Sequence, residues 1–83
     1  MKKATIYTTH GCPYCVKAIK LLTHKQVEFE EINLSSNEPL LQKIVAKTGM
    51  NTVPQIWIGD DFIGGCDDLY SLENDGTLDQ MLR

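Results

Sequence analysis

One stretch of the chain decides the fold: residues 4–22, which read ATIYTTHGCPYCVKAIKLL. Its first five residues are rich in β-branched and aromatic side chains, so residues 4–8 are predicted to form a strand. A short loop follows, and Pro13 suits the first turn of a helix because its missing N–H costs nothing there. Apolar residues then recur at helical spacing to about Lys25. The stretch is therefore predicted to be a strand that passes through a short loop directly into a helix.

Three further strands are predicted, at residues 27–32, 55–58 and 61–64. The last two are separated only by Gly59-Asp60, a two-residue sequence typical of a tight turn. The strands that alternate with helices suggest parallel crossovers, whereas the two-residue turn forces an antiparallel hairpin. The sheet is therefore expected to be mixed.

Two further helices have recognisable ends. Ser36 or Asn37 is expected to cap the second helix, and Gly49 is expected to stop it after Lys47. Asp67 or Asp68 is expected to cap a third helix.

A last short turn is expected over residues 77–82. The predicted order is β-α-β-α-β-β-α, which indicates an α/β fold with a mixed four-stranded sheet flanked by helices. At 83 residues, the chain is expected to be a single domain over 1–83.

Charge and hydropathy exclude several classes of protein. The net charge is -3, with five lysines and no acidic residue in residues 1–27, and eleven acids against three bases in residues 28–83. An acidic chain of this size is a poor nucleic-acid binder. No run of about 18 apolar residues occurs, so no membrane span is expected. Polar residues from Thr5 to His10 interrupt any hydrophobic region of a signal peptide, which favours a cytoplasmic protein.

The cysteine pair Cys12 and Cys15 falls at the start of the first predicted helix. Residues three apart on a helix lie close to the spacing that a disulfide tolerates. A helix N-terminus offers unpaired N–H groups and partial positive charge, and such positions lower cysteine pKa values from about 8.5 to roughly 3.5–7.5. We therefore expect Cys12 to attack as a thiolate and the more buried Cys15 to resolve the mixed disulfide.

Two other interpretations of the pair remain open at this point. A structural zinc site needs four ligands, and the further candidates are His10, His24 and Cys66. His10 is too near in sequence to arrange easily, and His24 lies at the far end of the same helix, so no metal is expected. The pair could also be incidental. An odd cysteine count without an export signal argues against a secreted disulfide framework.

Three separated motifs carry a resemblance to a known family: Cys-Pro-Tyr-Cys at 12–15, Thr-Val-Pro at 52–54 and Gly-Gly-Cys-Asp-Asp-Leu at 64–69. In this order and spacing, the chain resembles the glutaredoxins, specifically the small bacterial dithiol type. The resemblance implies a thioredoxin-like fold and a glutathione-dependent thiol–disulfide oxidoreductase. Such an enzyme reduces protein disulfides and glutathione mixed disulfides and maintains cell redox homeostasis. Glutathione would be its reducing co-substrate, and no tightly bound cofactor is expected.

The resemblance also implies which residues bind glutathione. The Val53–Pro54 bond is expected to be cis, with the Val53 N–H and C=O free to pair with glutathione like a short added strand. The backbone amides of Cys66 and Asp67 would bind the γ-glutamyl carboxylate at a helix start, and the Asp67 side chain would take its ammonium group. The expected glutathione-binding residues are Tyr14, Thr52, Val53, Pro54, Gly65, Cys66 and Asp67.

Two positions raise separate questions. Many glutaredoxins have a lysine three residues before the first cysteine, where it contacts the glycine carboxylate of glutathione and stabilises the thiolate. This chain has Thr9 there, so we expect either a replacement from the second helix, with Gln42, Lys43 and Lys47 as candidates, or a weaker glutathione site.

The third cysteine, Cys66, is expected to act as a small buried apolar residue. The alternative is that it is a second redox-active thiol.

Two other functions stay open within the same fold. One is an electron carrier recharged by thioredoxin reductase, and the other is an iron–sulfur scaffold with a cluster bridged between two chains. Pro13 and Cys15 argue against the scaffold, because family members specialised for clusters usually have Gly and Ser there. The expected partners are glutathione and disulfide-containing or glutathionylated proteins, with no nucleic acid or membrane, and the chain is expected to be a monomer.

Overall fold

Eight elements make up the fold in the computed structural model, which describes residues 1–83. The strands are β1 (Ala4–Thr8), β2 (Phe29–Asn33), β3 (Gln55–Ile58) and β4 (Asp61–Gly64). The helices are α1 (Pro13–His24), α2 (Glu38–Thr48), α3 (Cys66–Asn74) and α4 (Thr77–Leu82). The predicted order is confirmed, and residues 77–82, expected as a last short turn, form a fourth helix.

The sheet is mixed, as predicted, with strand order β2-β1-β3-β4. Strand β1 pairs in parallel with β2, in a register that places Ala4 opposite Phe29. Strand β3 is antiparallel to both β1 and β4. The prediction that alternating helices would make all three early strands parallel is therefore wrong for β3. The connection through α2 brings β3 back beside β1 in the opposite direction.

Local sequence signals account for most helix ends. Pro13 is the first residue of α1. The Asn37 side chain accepts a hydrogen bond from the Leu40 N–H at 3.2 Å and caps α2. Gly49 ends α2 in the left-handed conformation, with φ of 75°, which glycine adopts without steric cost.

Two boundaries differ from the sequence prediction. Strand β2 begins at Phe29 rather than at residue 27, because the Val27 N–H still bonds to the Leu22 carbonyl at the end of α1. Helix α3 begins at Cys66 with Gly65 as its N-cap, so neither Asp67 nor Asp68 holds the cap position.

The core lies between the sheet and the helices α1, α3 and α4. Alternate residues of β1 and β3 face it, including Ile6, Ile56 and Ile58, all fully buried. On β3, Trp57 lies between these isoleucines in sequence, and its ring centroid is 5.1 Å from that of Phe62. Trp57 is therefore a packing residue. None of the four helices is long and apolar enough to cross a membrane.

Candidate active site

Cys12 is the N-cap of α1, which fixes the geometry of the cysteine pair. Its Sγ accepts a hydrogen bond from the backbone N–H of Cys15 at 3.1 Å. The two Cα atoms are 5.3 Å apart, and the two sulfurs are joined in a disulfide. Cys12 is half-buried, whereas Cys15 is only 3% exposed. The predicted difference in exposure between the two cysteines is confirmed.

The segment before β3 lies beside Cys12. The Cys12 Sγ is 3.9 Å from the carbonyl oxygen of Val53, and the Val53–Pro54 bond is cis, as the resemblance implied. The Val53 N–H forms no hydrogen bond within the chain. The backbone of Val53 is therefore free to form hydrogen bonds with an extended ligand that lies next to the Cys12 sulfur.

The start of α3 packs closely against the same segment. A Cβ at Gly65 would lie 3.4 Å from the Pro54 carbonyl oxygen, so a glycine allows this approach with least crowding. Gly64 has φ of 112°, and a Cβ there would collide with the Asp68 carboxylate. That carboxylate accepts a hydrogen bond from the Gly65 N–H at 2.9 Å. Asp68 thus stabilises the helix start from its third position.

Asp67 differs from its neighbour Asp68. Its side chain is exposed and forms no hydrogen bond or ion pair within the chain. The backbone N–H groups of Cys66 and Asp67 also have no partner, because they belong to the first turn of α3. The helix start therefore presents two free donors and one free carboxylate.

All seven residues expected to bind glutathione line one cavity of about 350 Å³. Sequence reasoning missed Met50 as a lining residue, although an apolar side chain directly after the helix stop at Gly49 was a usable signal. It assigned Asp68 only to capping, and this residue lines the cavity as well. The nine lining residues are Tyr14, Met50, Thr52, Val53, Pro54, Gly65, Cys66, Asp67 and Asp68.

The two cysteines line a second cavity of about 460 Å³. Thr9 and His10 of the loop before α1 also line it, together with Glu31 of β2. The site therefore has two recesses with no lining residue in common, and the Cys12 Sγ of one lies 3.9 Å from the Val53 carbonyl oxygen of the other.

The family model described as Glutaredoxin matches residues 4–63. The chain is 49% identical to a protein named Glutaredoxin from Pseudomonas aeruginosa, covering 99% of this chain and 98% of that protein. It is 43% identical to Glutaredoxin 3 of Escherichia coli over the full length of both. The chain belongs to the glutaredoxin family. This glutaredoxin is therefore a thiol–disulfide oxidoreductase with a dithiol, and its fold is thioredoxin-like.

A solved structure of another glutaredoxin is similar in fold. The crystal structure of a buckwheat glutaredoxin–glutathione complex superposes with a TM-score of 0.89 at 29% identity, covering 95% of this chain and 74% of that chain. In that crystal structure, the buckwheat protein is in complex with glutathione.

This glutaredoxin has no cationic side chain in the cavity beside Val53. The only charged lining residues are Asp67 and Asp68. Among the candidates to replace the lysine absent at Thr9, Lys47 lies over the Trp57 ring at 4.9 Å. Gln42 and Lys43 do not line the cavity either. None of the three candidates from α2 therefore lines this cavity.

Cys66 is 5% exposed and has no disulfide partner. Burial raises the pKa of its thiol, and nearby Lys17 opposes this effect only in part. The thiol is therefore neutral at physiological pH, which agrees with its interpretation as a small apolar residue. No group of three or more His, Cys, Asp or Glu side chains is arranged to hold a metal ion.

Proposed function

We propose that this glutaredoxin uses glutathione to reduce protein disulfides and glutathione mixed disulfides, and so maintains redox homeostasis. Family membership supplies the reaction class. The observation that carries the glutathione dependence is the cavity beside Val53, which combines a free backbone edge at Val53, 3.9 Å from the Cys12 sulfur, with the free donors and carboxylate at the start of α3.

The first half of the cycle oxidises the enzyme. The Cys12 thiolate attacks one sulfur of the substrate disulfide, forms a mixed disulfide with it and releases the other sulfur as a thiolate, which takes a proton. The Cys15 thiolate then attacks the Cys12 Sγ, which releases the second substrate thiolate. Two electrons have passed to the substrate, and the enzyme now holds a Cys12–Cys15 disulfide. The 5.3 Å Cα separation supports this closure.

The second half restores the dithiol. One glutathione thiolate attacks Cys12, releases Cys15 as a thiol and leaves Cys12 glutathionylated. A second glutathione attacks the sulfur of the bound glutathione, so that oxidised glutathione leaves and the Cys12 thiolate returns. Cys12 is the accessible sulfur, which supports its role in both steps.

The cavity supports a specific pose for that bound glutathione. Its cysteine backbone would pair with the Val53 N–H and C=O, as a strand adds to a sheet edge. Its γ-glutamyl carboxylate would accept hydrogen bonds from the Cys66 and Asp67 amides, and its ammonium would meet the Asp67 carboxylate. Tyr14, 61% exposed, would lie along the other wall. The glycine carboxylate would have no cationic partner in the cavity.

We further propose that the chain acts as a single-domain monomer in the cytoplasm. A reducing compartment suits a dithiol that must be regenerated by glutathione.

Turnover of a glutathione mixed disulfide tests this proposal. The assay couples this glutaredoxin to glutathione, glutathione reductase and NADPH, and the expected result is NADPH consumption that depends on the enzyme. A parallel assay replaces glutathione and its reductase with thioredoxin reductase. Activity confined to the thioredoxin reductase assay would overturn the glutathione dependence and support the electron-carrier alternative.

A further inference from the structure

Gln55, the first residue of β3, is a polar side chain buried to 1% exposure. Its Nε2 donates hydrogen bonds to two carbonyl oxygens, that of Met50 at 2.7 Å and that of Thr52 at 3.1 Å. Its Oε1 accepts a hydrogen bond from the Thr48 hydroxyl at 2.9 Å. The carboxamide thus uses both of its protons and its oxygen on three residues that precede it in the chain.

The segment that Gln55 contacts has no backbone support of its own. Residues 50–54 lie between α2 and β3, and none of them takes part in a backbone–backbone hydrogen bond. Thr48 supplies the remaining anchor, because its hydroxyl accepts the Met50 N–H at 3.2 Å. The path of this segment is therefore set by two polar side chains.

The same segment forms one wall of the cavity. Met50, Thr52, Val53 and Pro54 all line it, and the Val53 carbonyl oxygen lies 3.9 Å from the Cys12 sulfur. Gln55 itself does not line the cavity.

We propose that Gln55 is a positioning residue that holds the segment 50–54 in the conformation that receives the ligand of the cavity. The inference rests on the proposed function, in which that ligand is glutathione. A carboxamide is required because the site needs two donors and one acceptor in a planar arrangement. Without Gln55, the Met50 and Thr52 carbonyl oxygens would lose their side-chain donor, and the segment would be free to shift.

The test is Gln55→Met, which keeps the approximate size of the side chain and removes its hydrogen bonds. In the coupled assay, the KM for the glutathione mixed disulfide should rise about fivefold, the factor expected for a lost hydrogen bond of ordinary strength, with kcat little changed. In glutathione-free protein, NMR relaxation should show increased backbone motion at residues 50–53. Ile58→Val is the control, because it loosens the core side of the same strand without touching the segment.

A second variant, Gln55→Glu, gives an independent readout. An ionised carboxylate cannot donate to the two carbonyl oxygens, whereas a protonated carboxyl donates one hydrogen bond. The KM defect of this variant should therefore shrink as pH falls, relative to wild type at each pH. If Gln55→Met does not fold, Thr48→Val removes the hydroxyl that anchors both the Gln55 Oε1 and the Met50 N–H, and the same KM and relaxation measurements then show whether the segment loosens.

The outcomes separate the two proposals. Wild-type turnover with an unchanged KM and unchanged relaxation in Gln55→Met would overturn the role of Gln55. A wild-type protein without glutathione turnover would instead count against the proposed function, and the relaxation measurement would still decide whether Gln55 holds the segment.

Discussion

The backbone N–H of Cys15 donates a hydrogen bond to the Cys12 Sγ at 3.1 Å, so the resolving residue also supports the attacking sulfur. The bond comes from backbone, because Cys12 occupies the N-cap position and Cys15 lies one turn later. Any residue at position 15 except proline keeps this donor. The support of the Cys12 sulfur and the chemistry of the Cys15 thiol are therefore separable by mutation.

Cys15→Ser is expected to keep the reduction of glutathione mixed disulfides and to lose the dithiol reduction of protein disulfides. The first reaction needs only Cys12, which retains the Cys15-position N–H, and the second needs a resolving thiol. Coupled assays with a glutathionylated peptide and with a disulfide-bonded protein measure the two activities. Cys12→Ser, the matched control, should lose both. Loss of both activities in Cys15→Ser as well would contradict this division of roles.

Thr9→Lys is expected to raise the thiolate fraction of Cys12 at neutral pH and to lower the KM for a glutathione mixed disulfide by about threefold. The loop carrying Thr9 lines the recess beside Cys12, and no lysine or arginine lines either recess. An added ammonium would favour both the thiolate and the glycine carboxylate, at the strength of an exposed ion pair. A pH titration of thiolate absorbance measures the first effect. Thr9→Gln supplies length without charge, so an equal change in that variant would refute the electrostatic explanation.

The sequence predicted those features of the fold that depend on a few neighbouring residues, such as the ends of helices. The start of α1 follows from Pro13 and the stop of α2 from Gly49, because each residue restricts or frees its own backbone. The direction of β3 was not predictable in this way. A strand shows the same alternation of side chains whether its neighbour runs parallel or antiparallel, and only tertiary packing selects between them.

The candidate site, like the fold, was only partly predictable from the sequence. The three motifs contain eight of the nine residues that line the cavity beside Val53, all except Met50. The role of Gln55 was not recognisable, since a polar residue at the start of a strand is ordinarily exposed and its burial becomes evident only in three dimensions. The start of α3 was misplaced because Asp68 reaches back to the Gly65 N–H from inside the helix.

Asp67→Ala and Asp68→Ala form a matched pair with different expected effects. Asp67 has no partner within the chain, so its removal should leave the free energy of unfolding nearly unchanged and raise the KM for glutathione mixed disulfides about tenfold. Asp68 bonds to the Gly65 N–H, so its removal should lower the free energy of unfolding by about 1 kcal/mol. Denaturant unfolding and the coupled assay measure the two effects. A larger loss of stability in Asp67→Ala than in Asp68→Ala would reverse the assignment.

Cys66 is expected to remain unmodified when the folded protein is mildly oxidised in the presence of glutathione. Its thiol is buried, and the raised pKa keeps it protonated, whereas oxidation and alkylation proceed through the exposed thiolate. Mass spectrometry of the intact protein and of its peptides makes the measurement, and the same treatment in denaturant, where Cys66 should react, is the control. A glutathione adduct on Cys66 in the folded protein would identify it as a second redox-active thiol instead.

Lys25 is expected to contribute stability that disappears only in strongly alkaline solution. Its Nζ lies 2.6 Å from a carboxylate oxygen of Asp79 and 2.8 Å from one of Glu73. The hydrogen bond to Asp79 has the largest effect and that to Glu73 the next largest, and both raise the pKa of Lys25 above its ordinary value of 10.5. When folding raises the pKa of a group, the group stabilises the folded state. This stabilisation is complete at pH values below the pKa in the unfolded state, and it is lost as pH rises through the pKa in the folded state. Lys25→Met should therefore lower the free energy of unfolding by about 1 kcal/mol at pH values near 7. The difference in free energy of unfolding between this variant and wild type should narrow only above about pH 10.

Denaturant unfolding across this pH range tests the prediction. Lys3→Met is the control, because Lys3 forms only an exposed ion pair with Glu30 at 3.9 Å. A difference that narrows between pH 7 and pH 9 would show that the stabilisation does not come from the Lys25 charge.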